Sequence, residues 1–263
     1  MGVLDRLLGR TPSEPRGVEP SIPESMAQAH DAAGRGDYAA ALAIWGPLAH
    51  AGIARAQSNV GACFAEGLGV ARDPKLARQW LTLAAEAGDP VGQRNLAAWF
   101  FRAEGAEQSD AEALRWYRAA ALQGDAPAQD MLSWMLLERG DPADRPEALG
   151  WARAAAEAGV APAMFRLGMM FHDAVGIERD PAEAVRWWRA AAAAGDADGE
   201  AMLGAALFLG QGAPHDPAAA LVHLLRARQG GSALAPRFIE AAYAGLDAEA
   251  IAAAEQEAAE PGR

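Results

Sequence analysis

The chain has 263 residues, about half of them apolar, a formal net charge of −12 and a single cysteine, Cys63. An acidic chain repels phosphate backbones, which argues against nucleic-acid binding and suits a dispersed protein or one with basic partners. One cysteine excludes an internal disulfide and a thiolate zinc cage, and it fits a reducing, cytoplasmic setting. The apolar share is mostly alanine, with few β-branched and aromatic residues, so closely packed helices are expected rather than a sheet.

Residues 1–20 differ in kind from the rest. Met1 to Arg10 is too short and too charged for a secretory signal or a membrane span. Val3, Leu4, Leu7 and Leu8 could form one amphipathic turn, a candidate membrane-surface or partner-docking peptide, but a helix so short is marginal in water. A polar, proline-rich stretch follows (Thr11-Pro12-Ser13-Glu14-Pro15), so residues 1–20 are expected to be disordered.

From Met26 onward the chain is periodic. One glycine closes each unit, at Gly52, Gly88, Gly124, Gly159, Gly195 and Gly231, with intervals of 36, 36, 35, 36 and 36 residues. Fifteen residues before each glycine stands a helix N-cap candidate: Asp37, Asp73, Ser109, Asp144, Asp180 and Asp216. Pro74, Pro181 and Pro217 then occupy the first helical position, where a missing N–H costs nothing. Each unit therefore ends in a helix with start and stop signals in register.

Within that helix Ala77, Ala113, Ala148 and Ala184 recur, and Trp80, Trp116, Trp151 and Trp187 follow three residues later as expected core wedges. The first helix of each unit starts after the closing glycine. It aligns Val60, Leu96, Leu132, Leu167 and Leu203 on a core-facing stripe, with Phe64, Phe100, Leu136, Phe171 and Leu207 one turn on. Between the two helices lie Gly67-Leu68-Gly69, Gly210-Gln211-Gly212 and the variant Ala174-Val175-Gly176. With no strand before them and no Lys-Ser/Thr after them, they read as a helix stop followed by a turn, not a phosphate cradle.

The succession of small residue, Leu-Gly (Leu167-Gly168, Leu203-Gly204), aromatic, Gly-x-Gly, Asp-Pro, Ala, Trp and Ala-Ala-x-x-Gly resembles the Sel-one-like repeat, a relative of the tetratricopeptide repeat. The resemblance covers roughly residues 25 to 245. It departs where Ala97 and Ser133 replace the Leu-Gly glycine and where the second and third loops lack Gly-x-Gly. The expected fold is all-α, a right-handed α/α superhelical solenoid of about seven helix pairs, spanning residues 21–259 with a 260–263 tail. The Glu-rich last helix would cap it.

Chemistry is not concentrated anywhere along the chain. The five histidines fall in different units and at different repeat positions. His172 with Asp173 would need a further ligand such as Glu178 to hold a metal, and Cys63 reads as a small buried thiol. No catalytic residue, metal or cofactor is expected. Stacking does produce a concave surface lined by the first helices. Next to the core stripe on those helices stand Asn59, Asn95, Met131, Arg166 and Met202, one turn on Cys63, Trp99, Met135, Met170 and Ala206, and a further turn on Glu66, Arg102, Glu138, Asp173 and Leu209. Methionine suits adaptable binding surfaces, and Trp and Arg are frequent hot-spot residues. The same methionines would also serve as core filler.

The resemblance implies a non-enzymatic scaffold or adaptor that binds a protein or peptide partner. Two alternatives stand beside it. Some Sel-one-like proteins are assigned hydrolase activity on cell-wall-type substrates, although their disulfide-rich members differ from this chain. The other is an adaptor recruited to a membrane surface by its N-terminus.

Overall fold

The computed structural model describes residues 20–102 and 108–260, and among these it contains fourteen α-helices and no strand. The proposed N-terminal docking peptide lies outside the described residues. Two compact units are distinguished, Met1–Gly92 and Gln93–Arg263.

The first unit holds α1 (Ile22–Gly34), α2 (Tyr38–His50), α3 (Ala54–Glu66) and α4 (Pro74–Glu86), and the division falls inside the first turn of α5 (Pro90–Arg102). The second unit continues with α6 (Asp110–Leu122), α7 (Ala126–Glu138), α8 (Arg145–Glu157), α9 (Ala161–Asp173), α10 (Pro181–Ala193), α11 (Ala197–Leu209), α12 (Pro217–Gln229), α13 (Pro236–Ala244) and α14 (Ala248–Ala259). Twelve consecutive helices before the last pair each span thirteen residues, so the repeat is geometric as well as sequential.

The expected start and stop signals operate at nearly every boundary. The Asp37, Asp73, Asp180 and Asp216 side chains accept from first-turn N–H groups, and Ser109 does so at 3.2 Å from the Glu112 nitrogen. Asp144 departs from the series. Pro142 and Pro146 bracket it, a 3-10 turn over Pro142–Asp144 takes the cap from Asp141, and the Asp144 carboxylate lies 3.4 Å from Arg139 instead. All six closing glycines have φ between 84° and 91°, the left-handed C′ conformation that ends a helix without a Cβ clash.

The Gly-x-Gly loop does more than stop a helix. Gly210 is the left-handed cap of α11, and Gly212 lies so close to the start of α10 that a Cβ there would stand 2.0 Å from the Pro181 carbonyl oxygen. Where it is present, the second glycine thus seats the loop on the preceding helix pair, as Gly69 does against Tyr38 and Gly176 against Arg145. Buried glutamines seal the other ends of second helices: Gln57 donates to the Ala49 carbonyl and Gln129 to the Ala121 carbonyl, each at 3.1 Å. Such a bond satisfies a carbonyl near a helix end that burial would otherwise leave orphaned.

The core of the first unit gathers Ala29, Ala41, Trp45, Val60 and Cys63. In the second unit three apolar clusters follow one another, centred on Leu132 and Tyr117, on Leu167 and Trp188, and on Leu224 and Ile239. The tryptophan expectation is shifted by one residue. Trp80, Trp116, Trp151 and Trp187 are only half-buried against these clusters, whereas the next position supplies the fully buried wedge: Leu81, Tyr117, Ala152, Trp188 and Leu224.

Candidate functional site

The deepest wedge explains the Leu-Gly pattern. On α9, Gly168 faces the Trp188 indole of α10, and a Cβ on Gly168 would lie 2.5 Å from both Trp188 Cδ1 and Nε1. Gly204 stands against Leu224 in the same way, at 2.8 Å from its Cγ. In the third repeat the pairing reverses in size. Ala152 occupies the wedge position and Ser133 the glycine position, with the Ser133 hydroxyl donating to the Ala148 carbonyl at 2.9 Å. A small wedge leaves room for the larger helix-one residue, so the departure from the repeat pattern is compensated within the unit.

The expected groove residues divide sharply. Met135 and Met170 are buried, at 5% and 2% exposure, so they belong to the core and cannot meet a partner. Arg166 is not a free cation either. Its guanidinium pairs with Asp130 of the preceding repeat, both side chains being largely buried, and also reaches the Asp130 carbonyl at 3.4 Å. Asn59 is half-buried in the first unit, and its Nδ2 has no partner among the described residues. In the second unit Asn95, Trp99, Met131 and Met202 are half-buried and Arg102 is exposed, bonding its own helix at the Ala98 carbonyl. Trp99 meets the Phe100 ring edge-on at 5.2 Å.

Met202 is the residue around which a site forms. A cavity of about 120 Å³ is lined by Met202, Ala205, Ala206 and Leu209 of α11, Pro181 and Trp188 of α10, His172 of α9, Gln211 of the loop and Phe238 of α13. Three of these, Met202, Ala206 and Leu209, come from the helix-one face that the periodicity marks out. Leu209 is one of the few large apolar side chains that is half exposed. Trp188 and Phe238 escaped the sequence reading. The Trp187-Trp188 doublet hides which ring turns inward, and the glycine at 168 is the one signal that a large ring lies opposite.

His172 is engaged in this wall rather than in metal binding. Its ring packs on Trp188 at 5.5 Å and lies 3.8 Å from the Asp173 carboxylate, and among the described residues no three His, Cys, Asp or Glu side chains converge on a metal position. His223, which stands in a tryptophan position, instead places Nδ1 2.6 Å from Glu200. Burial pushes the Cys63 thiol up to about 11, away from the thiolate that a nucleophile needs. Burial likewise raises the Asp196 carboxyl, while Arg118 holds the Glu147 carboxyl below its ordinary range through a bidentate pair at 2.8 and 3.0 Å.

The Sel1 repeat model matches residues 54–89, 90–125, 126–160, 161–196 and 197–232, together more than half of the chain. The chain belongs to the Sel1 repeat family. Its five matched repeats are α3–α4 through α11–α12, each beginning at a first helix and ending one residue past the closing glycine. Among solved structures, a protective antigen present in uropathogenic Escherichia coli strains is 28% identical with a TM-score of 0.84. That alignment covers 90% of this chain but 52% of the antigen, so the chain spans about half the antigen's length. A Sel1 repeat protein from Oxalobacter formigenes is 26% identical over 91% of this chain and 98% of its own, with a TM-score of 0.76. An immunity protein from Pseudomonas aeruginosa shares the fold at 17% identity and a TM-score of 0.51, covering 92% of this chain and 86% of its own. No curated protein matches the sequence. The fold class is thus the α/α repeat solenoid, and Sel1 repeat proteins are typically protein-interaction scaffolds. No described helix is long and apolar enough to cross a membrane.

Proposed function

We propose that this Sel1 repeat chain is a non-enzymatic, cytoplasmic scaffold that binds a protein or peptide partner on the face built by its first helices. The observation that carries the reading is the cavity whose α11 wall is that face. Met202, Ala206 and Leu209, spaced one turn apart, open a largely apolar recess instead of packing shut. Trp99, Arg102 and Met131 leave further accessible area on the same helix positions of the second unit. Interaction surfaces concentrate their energy in such aromatic, Met and Arg side chains set beside apolar recesses. His172 packs against a tryptophan ring and Cys63 is held as a buried thiol, so both obvious nucleophile or base candidates have structural roles.

The test is co-purification with tagged full-length chain from native extract, compared with Trp99→Ala and Met131→Glu. Partners should weaken with either change. Partners retained at equal strength by both variants would show that this face is not the one used. Arg166 is unsuited to the comparison, because its loss strands Asp130.

A further inference from the structure

We propose that the cavity between α9, α10, α11 and α13 is an anchor pocket for a basic segment of a partner protein, accepting one large apolar side chain. This rests on the scaffold reading and names the chemistry of its partner. At about 120 Å³ the recess is close to the size of an engineered apolar cavity that takes up benzene, so it fits one Leu, Met or Phe side chain. Its wall is Met202, Leu209, Phe238, Pro181 and two alanines, and the half-exposed Leu209 marks the mouth.

The Trp188 indole contributes to this wall while its Nε1 edge packs against Gly168 of α9, so the ring offers the recess apolar surface rather than a donor.

Charge selects the flanks. Residues 93–263 carry 15 Lys and Arg against 25 Asp and Glu, a net of −10 out of the chain's −12. Within two residues of the lining positions stand Asp173, Asp180, Glu183, Glu200 and Glu240 against Arg179, Arg186, Arg189 and Arg237; Arg179 is held on the His172 carbonyl at 3.1 Å and Arg186 pairs with Glu183. Such a field draws in Lys- and Arg-rich segments and repels acidic ones.

The probe is an array of immobilised twelve-residue peptides of randomised sequence, read with labelled full-length chain at low and high salt. Bound peptides should carry one Leu, Met or Phe flanked by Lys or Arg. Replacing that residue by Ala should weaken binding about ten- to a hundred-fold, the range for losing one buried apolar side chain. Leu209→Asp and Gln211→Trp, both at exposed mouth positions, should each abolish the preference. Selection of acidic or anchorless peptides would overturn the proposal. Selected peptides that bind both mouth variants unchanged yet lose affinity for Trp99→Ala would overturn the pocket while leaving the scaffold reading standing. Binding of no peptide at all would count against both.

Discussion

Gly168→Ala adds a single methyl group at the tightest helix crossing that the second unit offers. The new Cβ would sit 2.5 Å from Trp188 Cδ1 and Nε1 and 3.1 Å from the Ala184 carbonyl, where ordinary carbon contacts begin near 3.5 Å. Neither neighbour gives way readily, since one is the rigid indole and the other is backbone. Overpacking of this kind costs about 1–3 kcal/mol, and the short contacts put this site at the upper end. Against that stands the gain of about 1 kcal/mol from replacing a mid-helix glycine by alanine. The net expectation is a destabilisation of about 2 kcal/mol, or roughly 4–8 °C in Tm for a chain of this size. In a Trp188→Ala background the indole is gone and only the 3.1 Å approach to the Ala184 carbonyl remains, so the same methyl group should be near neutral or stabilise by up to about 1 kcal/mol. The third repeat already carries that combination, with Ser133 opposite Ala152. Circular dichroism melts and urea titrations of the four proteins measure the cycle. A Gly168→Ala effect of the same sign and size in both backgrounds would refute the idea that the glycine exists to admit the ring.

Further outcomes follow from other sites. Ala174 caps α9 at φ 57°, where the equivalent caps are glycine, so Ala174→Gly should raise stability by about 0.5–1 kcal/mol in the same melts. Arg166→Ala strands the largely buried Asp130 carboxylate and should cost about 3–5 kcal/mol, with Asp130→Asn in that background recovering part of the loss. Glu147, held below its ordinary value near 4.5 by Arg118, contributes stability above that value that is lost as pH falls through its folded pKa. Glu147→Gln should accordingly be the less stable protein at pH 7, and the gap should narrow in urea titrations as the pH falls through the carboxyl's folded pKa. Cys63, 2% exposed and raised to about 11, should resist a thiol reagent at pH 8 in the native protein and react promptly in urea.

The helix boundaries were legible because each depends on local chemistry: an Asp or Ser accepting from the next turn, a proline at N1, a glycine at positive φ. Asp144 shows the limit, since two nearby prolines moved the cap three residues upstream to Asp141. Partners a full repeat away leave no local trace. The Arg166–Asp130 pair spans 36 residues, and nothing near Arg166 in sequence indicates that its charge is already spent. Facing direction was also ambiguous by one position. At 100° per residue, Trp187 and Trp188 both lie near the core side, and only the opposing glycine decides between them. Met135 and Met170 occupy the stripe that carries Ala206 in the last repeat, and larger side chains there turn inward and fill space. The cavity at Met202 exists partly because that stripe ends in alanine.

The capping aspartates carry a consequence for how such a chain can be cut and rejoined. Asp125 is the last residue of the 90–125 repeat, yet its carboxylate caps α7 of the following one while accepting Arg94 of its own repeat at 2.8 Å. Asp89 and Asp196 likewise close one repeat and start the helix of the next, whereas Val160, closing the 126–160 repeat, offers α9 no side-chain cap. Three of the modules, 54–89, 90–125 and 161–196, therefore carry the start signal of their successor's first helix rather than that of their own. A grafted or duplicated repeat should be judged by what it hands onward: copies of 90–125 donate a cap downstream, copies of 126–160 donate none, and reordering the same five segments would yield arrays of unequal stability from identical composition.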